Sequence, residues 1–195
     1  MGLAIQVPVA ATTEGHFSSP AARAFNVFAF FTIQSNVIVG VTTLLLALDL
    51  RRTSTLFRTF RLIGLVAITI TGIVYHVALA HLLDLDSWAL AADVTLHTVV
   101  PVLAIVGWLA FGPRGATSGR IAALTLLFPA WYMIFSLVRG AFIGWYPYPF
   151  ADVNALGYGR VLVNAFWICL LFVAVAAGAN LLDEHLPGVE IDAAA

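Results

Sequence analysis

Lysine is absent from the 195-residue chain, and its nine basic residues are all arginine, with no basic tract able to follow nucleic-acid phosphates. Nucleic acid is therefore not an expected partner. Cysteine is nearly absent as well. Cys169 stands alone in an apolar run, which excludes an intrachain disulfide or a CxxC site and leaves it a small packing residue. Charge of either sign is scarce, at 10% of residues against 62% hydrophobic ones, and the mean hydropathy is +0.99. That balance lies outside the range of soluble domains of this size and points to lipid as the solvent. The basic n-region of a signal peptide is missing too. Residues 1–11 are apolar but too short to span a bilayer, and they read as the tail of a further helix that this chain lacks.

What is present is length. Apolar runs able to cross about 30 Å of hydrocarbon, which takes roughly 20 helical residues, occur at 25–48, 61–83, 93–111, 121–143 and 158–182. The expected fold is all-α: one polytopic transmembrane helix bundle over residues 1–195, with about five complete spans and a short N-terminal helical remnant. The connectors between spans are too short to hold a soluble domain, and there is no internal repeat or inverted pair of broken helices of the transporter kind. Arginines near span ends mark the cytoplasmic side. Arg51, Arg52, Arg58 and Arg61 mark one such loop and Arg114 and Arg120 the next, whereas Asp84, Asp86 and Asp93 lie between them. This alternation places residues 1–24, 84–92 and 144–157 outside and the acidic C-terminal tail in the cytoplasm.

A polar group inside a span is costly and usually faces the bundle interior. At 1.5 Å per residue, Thr32, Gln34, Ser35 and Asn36 fall roughly 10–16 Å below the outer end of the first span, and His76 roughly 10 Å below that of the second. The third span opens with Asp93, Thr95, His97 and Thr98, the fourth ends with Arg139, and the fifth begins with Asn164. Every span thus brings something polar to one level, while the cytoplasmic halves are almost entirely aliphatic, so no charged path for transport crosses the bilayer. Thr32, Ser35 and Asn36 share a helix face, as do Asp93 and His97, where a carboxylate could hold the imidazole in one tautomer. The plainer alternatives are a hydroxyl bonded to its own helix and an amide bonded between helices. Arg139, a permanent cation at depth, calls for Asp93, Asp152 or a ligand carboxylate or phosphate, unless it snorkels to the surface. In the loop from Gly144 to Phe150, the prolines end the helix, and Trp145, Tyr146, Tyr148 and Phe150 form an interfacial belt or roof a pocket. His76, His81 and His97 could be read as haem or metal ligands. His76 and His81, however, lie five apart and roughly 140° around the helix, so no metal or cofactor is expected.

Phe30 to Asn36, Phe-Phe-Thr-Ile-Gln-Ser-Asn, and Arg139-Gly140 followed by Trp-Tyr-Pro-Tyr-Pro-Phe resemble the motifs of a family of uncharacterised bacterial multi-span membrane proteins. The likeness covers nearly the whole chain. It implies six spans in the family and a bacterial plasma membrane. More distantly the chain resembles the animal androgen-induced membrane hydrolases, which cleave fatty acid esters of hydroxy fatty acids with an intramembrane threonine and histidine. Thr32, after its aromatic pair, is similar to that threonine, and His97 in His-Thr-Val-Val-Pro resembles the histidine. After the threonine the chain departs from that pattern, and Ser35 stands as a competing nucleophile. The resemblance implies a membrane lipid or fatty-acyl ester as substrate, with Thr32 as nucleophile and His97 as base. Asp93 would orient that base, Asn36 or Gln34 would serve the oxyanion, and Arg139, His76, Tyr146, Tyr148 and Asn164 would line the substrate site. The alternative from another class is a membrane protein that binds lipid or a small molecule without chemistry.

Overall fold

Lipid offers backbone groups no partner, so each apolar run must satisfy its own amides by coiling into a helix. A computed structural model describes residues 1–187; residues 188–195 of the C-terminal tail expected in the cytoplasm lie outside the described residues. Two short helices, α1 (Gly2–Thr12) and α2 (Pro20–Asn26), precede five long ones: α3 (Phe31–Leu48), α4 (Thr55–Leu82), α5 (Ser87–Phe111), α6 (Gly119–Ile143) and α7 (Val153–His185). Among the described residues there is no strand, and the five long helices are each apolar and long enough to span a bilayer. The protein is an all-α, multi-pass integral membrane protein.

The helix starts differ from the hydropathy reading. The first span begins at Phe31 rather than residue 25, because α2 gives way to a 3-10 turn at Val27–Ala29 and Phe30 is extended. Hydropathy is blind to such a break, since all of these residues but Asn26 are apolar. The second span starts six residues before the expected 61, where the Ser54 hydroxyl caps the Phe57 amide, and the fifth is capped by Asp152 through Asn154 and Ala155. Gly157, with φ 71°, breaks α7 one turn in, a conformation that suits glycine alone.

Successive long helices run up and down between two ends. One end gathers the arginines of residues 51–61 and 114–120; the other, here the aromatic end, carries the chain from Thr12 to Phe30 and the loop Gly144–Asp152. Helix α4 is central: over half of its apolar stretch is buried, and it touches α3, α5, α6 and α7. Its Leu62, Leu65, Val66 and Ile70 pack with Ile121 of α6 and Phe172, Ala176 and Ala179 of α7. Between helices in lipid the attraction is van der Waals contact rather than the hydrophobic effect, so small residues set the approach. A Cβ on Gly64 would stand 3.1 Å from the Val39 side chain of α3, and one on Gly72 3.2 Å from Pro101 of α5. Leu103, Leu127, Ile134, Phe142, Leu162, Phe166 and Trp167 stay exposed on the outer faces, as a lipid-facing belt requires.

Gly140 is the tightest of these sites, for a Cβ there would overlap the buried Tyr146 ring folded back over α6. Gly140→Ala should expel that ring and destabilise the protein by about 1–3 kcal/mol, read as a lower melting temperature in detergent micelles.

Candidate functional site

The break at Phe30 leaves the first amides of α3 without helical partners and without a side-chain cap. Two tyrosines supply them. The Tyr132 hydroxyl of α6 accepts the Phe31 amide at 3.2 Å and donates to the Ala29 carbonyl at 3.1 Å, splinting the break from both sides. The Tyr148 hydroxyl accepts the Thr32 amide at 3.2 Å and lies 3.4 Å from Thr32 Oγ1. Tyr148 stacks on Phe150 and meets Phe30 edge-on, which fixes its ring. Desolvation raises the Tyr148 phenol above its ordinary value, so it is a neutral donor at physiological pH.

Facing Thr32, helices α4 and α5 each contain one π-helical turn, Tyr75–Leu79 and Thr95–Val99. A π turn adds a residue to the helix and re-aims the side chains around it. In α5 the irregularity sits beside Pro101, which has no amide to donate. Gly72 lets α4 approach that stretch closely, and the next turn of α4 lays the Tyr75 ring flat on His97, centroids 4.0 Å apart and planes 12° off parallel.

The result is a chain of contacts reaching Thr32. His97 Nε2 lies 3.2 Å from Thr32 Oγ1, and His97 Nδ1 lies 2.9 Å from Asp93 Oδ1 and 3.1 Å from the Asp93 carbonyl. Asp93 Oδ2 in turn accepts from the Tyr75 hydroxyl. An Nδ1–H donated to Asp93 leaves the Nε2 lone pair facing the threonine hydroxyl. Such an arrangement can draw a proton from Thr32 as its oxygen attacks an electrophile.

Two cavities meet at this point. The larger, about 630 Å³, lies toward the aromatic end and is lined by Thr32, Tyr75, Asp93, His97 and Tyr148, with polar side chains of Gln6, Glu14, His16, Arg23 and Asn26 farther out. The second, about 410 Å³, is walled by Phe31, Ile70, Val74, Leu126, Met133, Phe166 and Phe172 among others and has no charged lining. Thr32, Tyr75, Leu79 and Tyr148 line both.

Other residues expected at the site are placed elsewhere or committed to holding helices together. Ser35 is fully buried and donates to the Phe31 carbonyl of its own helix, so its hydroxyl faces neither cavity. Asn36 donates to the Thr32 and Leu96 carbonyls, tying α3 to α5, and Gln34 donates to the Phe28 carbonyl, so neither side-chain amide is aimed at an oxyanion beside Thr32. His76 faces outward and bonds Thr98 of α5. Tyr146 is packed on Gly140, and Asn164 holds the Phe150 carbonyl; neither lines either of these two cavities. Among the described residues Arg139 finds no carboxylate. Its Nη2 donates to Asn26 Oδ1 at 2.7 Å and its guanidinium lies 5.5 Å from the Trp145 ring, while Asp93 is held by His97 and Tyr75 and Asp152 caps α7.

Tyr75 and Tyr132 were missed by the sequence reading. A signal existed, because a phenol buried in an apolar span needs a partner for its hydroxyl. Tyr132→Phe should orphan both the Phe31 amide and the Ala29 carbonyl and destabilise the protein by about 1–3 kcal/mol in thermal unfolding in micelles. Compared with protein-family models, with curated proteins and with solved structures, the chain has no match.

Proposed function

We propose that the protein is a membrane-embedded lipid-ester hydrolase with Thr32 as nucleophile, His97 as base and Asp93 as the group that orients the base. The observation that carries the proposal is the Thr32–His97–Asp93 relay, 3.2 Å and 2.9 Å between polar atoms, lining a cavity of about 630 Å³. The threonine hydroxyl is a weak nucleophile until a base removes its proton in the transition state. His97 does so through Nε2, and Asp93 stabilises the imidazolium that forms. The carbonyl oxygen then becomes an oxyanion. Tyr148, whose oxygen already accepts the Thr32 amide, can turn its hydroxyl hydrogen from Thr32 Oγ1 to that charge. Tyr75 holds the second oxygen of Asp93 and packs over the imidazole, so the base has little freedom to rotate away.

The likeness of Thr32 and His97 to the threonine and histidine of the androgen-induced hydrolases supports the same reading. The arginine distribution favours placing the aromatic end, and with it the site, in the non-cytoplasmic leaflet. A non-enzymatic lipid-binding protein would draw on the apolar character of the smaller cavity, but it would have no use for a relay that ends on a buried hydroxyl.

An alkyl fluorophosphonate should label the purified protein at Thr32, as located by mass spectrometry, and Thr32→Ala should abolish the label. His97→Ala should slow both labelling and ester hydrolysis by about 10²–10⁴-fold, and Tyr148→Phe should lower kcat by about 10²–10³-fold with KM little changed. Labelling at Ser35, or labelling that survives in Thr32→Ala, rejects the assignment. Copurified lipid that is retained equally by His97→Ala, with no turnover of any ester, would favour the binding protein instead.

A further inference from the structure

Resting on the hydrolase reading, we infer that the two cavities are separate subsites: the apolar cavity takes the acyl chain of the ester, and the larger, polar-rimmed cavity takes the alcohol. The argument is one of directions about a single carbon. When Thr32 Oγ1 adds to the carbonyl carbon, four substituents surround that carbon: the threonine oxygen, the oxyanion, the ester oxygen and the acyl chain. Two of these directions are fixed by the protein. The oxyanion turns to the Tyr148 hydroxyl, 3.4 Å from Thr32 Oγ1. The ester oxygen must reach His97 Nε2, because the imidazolium returns there the proton taken from Thr32. His97 and Asp93 line the larger cavity and not the apolar one. The alcohol therefore leaves on the polar side, and the remaining direction sends the acyl chain past Thr32 into the apolar cavity.

Both subsites suit what they receive. The apolar cavity has no charged lining, and two of its wall residues, Leu162 and Phe166, are each 56% exposed on the outer face of α7, so a chain can enter sideways from the lipid. The larger cavity is lined by Gln6, Glu14 and His16 as well, polar partners for a headgroup on the alcohol. The chemistry closes in two steps. In the first, the bond from Thr32 Oγ1 to the acyl carbon forms, the bond from that carbon to the alcohol oxygen breaks, and the threonine proton leaves on the alcohol by way of His97. In the second, a water arriving through the vacated polar cavity gives a proton to His97 and adds to the acyl carbon, the bond to Thr32 breaks, and the proton returns to its hydroxyl. The free acid then leaves toward the lipid.

The test fills each cavity in turn and reads acyl-length preference in the full-length protein in micelles. Ala165 of α7 and Ala130 of α6 line the apolar cavity, and Ala10 of α1 lines the polar one. The ratio of kcat/KM for p-nitrophenyl palmitate to that for p-nitrophenyl acetate should fall at least tenfold in Ala165→Phe and in Ala130→Phe, and shift less than twofold in Ala10→Phe. Two fillings on different helices guard against one that merely misfolds. A ratio that falls in Ala10→Phe but holds in the other two reverses the assignment and overturns it, as does a ratio that moves in none. Wild-type protein that hydrolyses neither ester faster than Thr32→Ala overturns the hydrolase reading, and the subsites with it.

Discussion

The structure depends on one constraint: a backbone group exposed by a break in a membrane helix finds no partner in lipid and must find one elsewhere in the protein. The break at Phe30 is where the constraint acts. Phe31 and Thr32 open α3 with unpaired amides, and the partners come from Tyr132 on α6 and Tyr148 on the loop after it. A requirement of the backbone thereby draws two distant parts of the chain around the first turn of one helix. Thr32 occupies that turn, so the groups that complete the helix also wall its hydroxyl. The same economy holds one helix away, where Asn36 satisfies the Leu96 carbonyl next to His97.

Much of this is legible in the sequence because it depends on length and spacing. The five long helices follow from apolar runs, and the Asp93–His97 contact from residues four apart on one helix. The meeting of Thr32 with His97 was open to inference because each lies near the same end of its span. Other polar residues at that level, Gln34, Ser35, Asn36, His76 and Asn164, belong to the bundle's hydrogen bonding instead. Spacing could not separate the two groups. A polar side chain in lipid must be partnered whether or not it does chemistry, so depth alone marks candidates of both kinds.

The true start of α3 was illegible for a related reason. Residues 25–31 are all apolar but Asn26, and what marks the start is the extended backbone at Phe30, which leaves no trace in hydropathy. Tyr75 escaped notice because an aromatic ring blends into an apolar run, although its hydroxyl ends on Asp93. Arg139 ran the other way. Its charge calls for an anion, yet a carboxamide oxygen and two aromatic faces take its place near the membrane edge, where the guanidinium keeps some hydration.

The π turns in α4 and α5 have a consequence for how such a chain can change over time. Each carries one residue more than regular winding would need, and trimming that residue would let the helix relax to ordinary pitch while rotating everything beyond it by about 100°. The rotation would carry Leu79 away from the two cavities it lines in one case and His97 away from Thr32 in the other. In these two short stretches, then, lineages can exchange one side chain for another far more readily than they can tolerate a shift of reading by a single codon's worth of chain.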